Sequence, residues 1–171
     1  MDKISKQHRS WNMSRVRGNN TKLEKLARLW LFKRGYRYRK NVRNLPGKPD
    51  IVLRKYKTVI DVRGCFWHRH AGCKIATMPQ SNTTYWWKKF NANIGRDIEN
   101  ESKLDALGWN VIVVWECELT SALEETMRKI VEILENRKIE IIKSREPRQI
   151  LRYDELEDTD ELMMVAESDL E

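Results

Sequence analysis

The chain of 171 residues contains no apolar run approaching the roughly 20 residues that cross a bilayer, and its charged beginning lacks a secretory apolar core. Membrane-spanning and secreted classes are therefore not expected, and the reading is a cytoplasmic protein. Cysteine is scarce as well. Three cysteines cannot all pair with one another, and in a reducing compartment neighbouring cysteines and histidines point to a metal more than to disulfides. No internal repeat is present, which leaves a single domain with its own core, plus a tail, as the expectation for this length.

Charge is plentiful and unevenly placed. The net charge is +8 with a pI near 9.5, yet residues 151–171 hold one basic and nine acidic side chains, so residues 1–150 carry +16. A body of that charge attracts a polyanion by neutralising phosphates and releasing counterions. A merely solvated, charge-rich surface is the plain alternative. Residues 1–20 scatter Lys3, Lys6, Arg9, Arg15 and Arg17 among Ser and Asn and close on Gly18-Asn19-Asn20, which reads as a flexible basic arm for duplex DNA or as an ordinary loose terminus. The acidic tail reads as a solvated extension over 143–171; a sharper expectation is that it folds onto the basic face and competes with DNA.

Thr21-Lys22-Leu23-Glu24 has capping-box spacing, and Leu23, Leu26, Ala27, Trp30 and Leu31 follow at helical intervals, predicting a helix over 22–34. Glu24 is then either a cap or a first-turn carboxylate facing a cation. The alternating run 36–40 predicts a strand, 44–49 a turn-rich loop, and 51–53 and 56–63 two strands joined by a tight Arg54-Lys55 turn. A long helix is expected from 81–84 to Gly108 with Trp86, Phe90, Ile94 and Ile98 on its apolar side. A buried strand over 111–115 and an amphipathic helix over 121–137 follow. That element order implies an α/β sandwich with a mixed sheet.

Two adjoining strands bring Asp50 and Asp61 toward one end of the sheet. Hydrolysis of a phosphodiester needs a cation, a base or oriented water, and a neighbouring positive group. Mg²⁺ prefers carboxylate and carbonyl oxygens, so Asp50, Asp61 and the Val62 carbonyl form a sensible minimum, with Arg63 as the positive group. Directly after them Cys65, His70, Cys73 and the distant Cys117 offer a Cys₃His set for structural zinc, with His68 as the competing histidine.

Pro49-Asp50 followed by Asp61-Val62-Arg63 resembles the PD-(D/E)XK nuclease pattern, with arginine in place of the usual lysine. Leu-Pro-Gly-Lys-Pro-Asp at 45–50, Gly-Cys-Phe-Trp-His at 64–68, Asn-Met-Ser-Arg at 12–15, and Gly-Trp-Asn-Val through Trp-Glu-Cys at 108–117 together resemble the very short patch repair (Vsr) endonucleases. That resemblance covers roughly residues 10–134. It implies a PD-(D/E)XK, restriction-endonuclease-like mixed sheet flanked by helices with a structural zinc site, and an endonuclease domain over 21–142. It further implies a Mg²⁺-dependent nick 5′ to the thymine of a T:G mismatch left by deamination of 5-methylcytosine.

By position the resemblance makes Asp50 the metal ligand, His68 the general base, Glu24 and Asp97 supporting acidic residues, and Cys65, His70, Cys73 and Cys117 the zinc ligands. Phe66, Trp67 and Trp86 match the aromatic wedge that opens the duplex, with core packing as the alternative for at least one of them. Arg15, Arg17 and Lys48 are the expected DNA contacts. One departure stands out: the best-known members carry Phe-Thr-His where this chain has Asp61-Val62-Arg63. A guanidinium can grip phosphate but does not give up its proton, while Asp61 adds a second acidic ligand. Three readings follow: a mismatch nickase, a divergent nickase acting on another mismatch or on modified or foreign DNA, and a mismatch-binding module without catalysis. Duplex DNA is the expected partner, mismatch-repair proteins are further candidates, and cutting one strand at an asymmetric lesion needs only a monomer.

Overall fold

A computed structural model describes residues 5–15 and 18–145. The chain divides after Glu140, and of its second unit, beginning at Ile141, only the end of one helix is described. The acidic stretch from 146 onward, with the competition expected of it, and Arg17 lie outside the described residues.

Within the expected irregular arm, Lys6–Ser14 is helical and forms α1; Arg15 follows it and lays its guanidinium 4.1 Å from the centre of the Trp11 ring. Helix α2 (Lys22–Lys33) begins as its spacing predicts. The Thr21 hydroxyl accepts the Glu24 N–H at 3.3 Å, while the Glu24 carboxylate accepts from the amides of Thr21 at 3.0 Å and Asn20 at 2.8 Å. Such a cap contributes about 1 kcal/mol. The capping reading of Glu24 is thus realised.

Strand β1 (Ile51–Leu53) pairs antiparallel with β2 (Thr58–Arg63), and β2 pairs in parallel with β3 (Asn110–Trp115), in the order β1-β2-β3. A parallel pair needs a long crossover, and α3 (Thr83–Ala106) supplies it. Helices α4 (Glu116–Ser121) and α5 (Leu123–Arg145) follow β3.

Strand alternation sorts the core into two layers. Ile51, Leu53, Ile60 and Val114 face α2, α4 and α5, where Leu31, Leu119, Met127 and Leu134 are buried. Val52 and Val59 face the other way and pack on Leu104 of α3. The mixed sheet flanked by helices therefore matches the architecture implied by the element order.

Several local expectations are corrected. The run 36–40 is not a strand, because β1 is short and offers a partner only at Val52, which bridges to Arg39. The Arg54-Lys55 turn is a 3₁₀ turn over Arg54–Tyr56, closed by Lys57 with φ of 47°. The last helix was expected to start at 121; α4 occupies that place, and α5 continues beyond 137. On α3, Phe90 and Leu104 are buried, but Ile98 is 62% exposed. The inward line of this helix runs Phe90, Asn93, Asp97, Glu101, Leu104, so it is apolar at both ends and polar in the middle.

Candidate active site and metal centre

The polar middle of α3 meets a polar stretch of β2. Since Val59 faces α3, alternation puts Asp61 and Arg63 on the same face. Asp50 stands one step beyond the register pair Ile51 and Ile60, beside Asp61, and its carboxylate accepts the Val62 N–H at 2.9 Å. The start of β1 and the ends of β2 and β3 thus share one edge, where open α/β sheets place their ligands.

A cleft of about 1090 Å³ opens there. Glu24, Asp50, Asp61, Arg63, His68 and Asp97 all line it, so the six residues singled out for catalysis come together. Lys48, Phe66 and Trp67 line it too, as do Gly18 and Asn19 at the end of the arm. Lys48 has φ of 52°, in the left-handed region. Its neighbour Gly47, with φ of 68°, passes so close to α3 that a Cβ would lie 3.0 Å from the Asn100 amide nitrogen. The positive φ and the Asn100 side chain together favour glycine there, since any larger residue would be strained and would push Asn100 aside.

His68 is oriented by Asp97, whose Oδ2 lies 2.6 Å from His68 Nδ1. If Nδ1 carries the proton donated to that carboxylate, Nε2 is left as the acceptor. Burial, reinforced by the charges of Glu24 and Asp61 and opposed by the Val62 N–H and Arg28, raises the Asp50 pKa to about 7. Uncompensated negative charge of this kind is what a divalent cation relieves, and the hard oxygen donors of Asp50 and Asp61 suit one, while the Glu24 oxygens stay committed to the cap of α2.

Arg63 is placed differently from expectation. Rather than opening toward a phosphate, Arg63 is 7% exposed and its guanidinium is engaged by carboxylates: Nε lies 2.9 Å from Asp61, one terminal nitrogen 2.7 Å from Glu101, and the other 4.0 Å from Asp97.

The sulfur and imidazole cluster sits just past the strand ends. Arg63 pairs with Trp115 in the parallel register, so two residues further on Cys65 arrives beside Cys117. The turn after β2 adds the other two, with hydrogen bonds donated by the His70 N–H to the Cys65 carbonyl and by the Cys73 N–H to the His70 carbonyl. The ligand atoms of Cys65, His70, Cys73 and Cys117 lie within 4.8 Å of one another, an arrangement that can hold a metal ion. His70 Nδ1 is 3.6 Å from Cys65 Sγ and 3.3 Å from Cys117 Sγ. A tetrahedral site with zinc-like bond lengths has S···N edges of roughly 3.5 Å, so the spacing fits. His70 also stacks flat on Trp115 at 4.1 Å, and the Cys117 N–H points to Cys65 Sγ at 3.4 Å. His68, the competing histidine, is committed to Asp97 instead. Burial pushes the Cys65 thiol up to about 12 and the Cys117 thiol upward, whereas the Ile75 N–H holds Cys73 down.

Phe66, Trp67 and Trp86 form one cluster of tilted and edge-to-face rings, with Phe66 5.1 Å from Trp67 and 5.4 Å from Trp86. The cluster rests on Phe90, which is 1% exposed and serves as its floor. Trp86 touches the other two without lining the cleft.

Sequence reasoning missed Glu101, Asn93 and Glu116. Asn93 donates from its amide to the Trp67 carbonyl at 2.9 Å, and Glu116 accepts the Cys65 N–H at 3.1 Å, joining the turn after β2 to the start of α4. Spacing of four from Asp97 was the available signal for Asn93 and Glu101.

The model of the family described as DNA mismatch endonuclease Vsr matches residues 1–74. The type II nicking enzyme V.NmeAIP of Neisseria meningitidis is 51% identical over 111 residues, covering 65% of this chain and 79% of that protein. The type II nicking enzyme V.XorIIP of Xanthomonas oryzae is 45% identical over 133 residues, covering 77% of this chain and 97% of that protein. The DNA mismatch endonuclease Vsr of Escherichia coli is 37% identical over 134 residues, covering 78% and 85%.

Proposed function

The chain belongs to the Vsr family of DNA mismatch endonucleases, and from that premise we propose that it nicks duplex DNA 5′ to the thymine of a T:G mismatch. Its mixed sheet flanked by helices is the PD-(D/E)XK-like fold of that family. The observation that carries the activity is the His68–Asp97 pair opening onto the same cleft as Asp50 and Asp61.

Asp50, Asp61 and the Val62 carbonyl hold Mg²⁺, with Glu24 behind them. Once bound, the ion supplies charge neutralisation on the scissile phosphate. His68 accepts a proton from the attacking water at Nε2, and Asp97 steadies the imidazolium that results. Cys65, His70, Cys73 and Cys117 hold zinc, which fixes the turn carrying Phe66, Trp67 and His68. Phe66 and Trp67, backed by Trp86, press into the duplex, where a mispaired step costs least to unstack. Lys48, Arg15 and Arg17 take backbone phosphates.

One cleft is enough for cutting one strand, so the chain works as a monomer in the cytoplasm, at the nucleoid, handing its nick to mismatch-repair proteins. Among the described residues no helix is long and apolar enough to cross a membrane. The second reading, a divergent nickase for another mismatch or for modified or foreign DNA, is favoured by Asp61 and Arg63 alone.

Cleavage of end-labelled duplexes bearing each single mismatch, with a matched control and with each strand resolved, tests this. A nick beside the thymine of T:G and not in matched DNA is expected. Cutting at other lesions favours the divergent nickase, and binding without cutting returns the protein to the class of recognition modules.

A further inference from the structure

The arginine that stands where the best-known relatives carry histidine is held from behind by a residue that no motif contains. Glu101 lies one helical turn beyond Asp97 on α3, and the pair straddles the Arg63 guanidinium from the same side. Arg63 Nε is bonded to Asp61 Oδ2, and the Asp97 oxygen nearest Arg63 is the one bonded to His68. One buried cation therefore links the carboxylate on β2 to the acid that orients His68 on the opposite wall of the cleft.

We propose that Arg63 and Glu101 are a positioning pair for the nicking reaction. Glu101 fixes the Arg63 guanidinium, Arg63 fixes Asp61 and draws Asp97 toward it, and neither residue binds a DNA phosphate. This rests on the nicking activity proposed above. The physical argument is one of commitment. A guanidinium offers five donors in a rigid fork; here Nε is bonded to Asp61 and one terminal nitrogen to Glu101, with little of the side chain open to solvent. An incoming phosphate would have to compete with both carboxylates while bringing its own charge into a cleft already lined by six: Glu24, Asp50, Asp61, Asp97, Glu101 and Glu116. Lysine could supply the charge but could not span two carboxylates in one plane.

Binding of a T:G duplex measured by fluorescence anisotropy across a salt series, without Mg²⁺ so that nothing is cut, separates the two roles. A phosphate contact contributes about 0.9 to the slope of log affinity against log salt. Arg63→Met and Glu101→Gln are expected to keep the wild-type slope, while Lys48→Met lowers it by about one. A slope lowered by about one in Arg63→Met would overturn the proposal.

Kinetics supply the second arm. Glu101→Gln is expected to reduce kcat roughly 10- to 100-fold with KM for DNA changed less than about twofold. The double variant Glu101→Gln with Arg63→Met should be no slower than Arg63→Met alone, since Glu101 acts only through Arg63. Arg63→Lys, which keeps the charge and guards against a folding defect, should be about as slow as Arg63→Met. Full activity of Arg63→Lys, or losses that multiply in the double variant, would overturn the pair. Should the wild type nick no duplex at all, the proposed function fails, and the salt slopes still decide whether Arg63 meets phosphate.

Discussion

The cysteine and histidine cluster and the carboxylate cleft come within four residues of each other along the chain, at Cys65 and Asp61, and treat their charges in opposite ways. In the cluster, four soft donors converge within 4.8 Å and are braced by the stack of His70 on Trp115 and by backbone amides. In the cleft, hard oxygens line about 1090 Å³ of open space, and Asp50 is strained upward by burial and by its neighbours' charge. A closed set of four is suited to holding a fold together, and an open set is suited to admitting a phosphate. Proximity lets the first serve the second: the turn closed by the cluster is also the turn that carries Phe66, Trp67 and His68.

The sharpest way to break this contrast is Cys117→Ser. Three donors cannot close a tetrahedron, and because metal binding is coupled to folding, the variant should lose its zinc and melt roughly 10 °C or more below the wild type. Elemental analysis and calorimetry check both. A metal-free variant of unchanged Tm would make the cluster dispensable.

Asp50→Asn should separate the two regions. Nicking should fall at least about 1000-fold, since the cation loses its most buried ligand. Stability should move the other way. With its folded pKa near 7 against about 3.8 unfolded, Asp50 binds its proton more tightly in the folded state, so in Mg²⁺-free buffer it destabilises the fold increasingly as pH rises from about 4 to about 7. The variant should therefore have the higher Tm at pH 7.5, and the gain should shrink toward pH 4. A lower Tm at pH 7.5 would contradict the burial argument.

His68→Ala should reduce the nicking rate about 100- to 10,000-fold while zinc content and DNA affinity stay near wild type. Loss of zinc there would mean that base and ligand had been confused. The smallest effect is expected at Trp67→Ala: a drop of roughly tenfold in preference for mismatched over matched duplex, measured by competition binding, because the ring contributes part of the unstacking and Phe66 remains.

How much of this was written in the sequence varies with the kind of interaction. The zinc-type set was legible because Cys65, His70 and Cys73 are close in the chain, and Cys117 joins them through the parallel register of β2 and β3, which only the fold displays. The capping box of α2 was legible because its bonds are local. The strand expected over 36–40 failed because alternation says nothing about whether a partner edge exists. On α3, the spacing of Ile94 and Ile98 suggested an apolar face, but burial follows Phe90, Asn93, Asp97 and Leu104, since the cleft needs a polar wall there. Arg63 was read for its charge, whereas its role depends on Glu101, thirty-eight residues away on another element.

The division of labour between the two regions is tested most directly by dialysing the protein against EDTA, then adding back Mg²⁺ alone while zinc content and T:G nicking are followed together. Chelation should abolish nicking, and Mg²⁺ should restore it in full with one zinc per chain retained throughout. Nicking that persists in EDTA, or that returns only when zinc is supplied, would contradict the account.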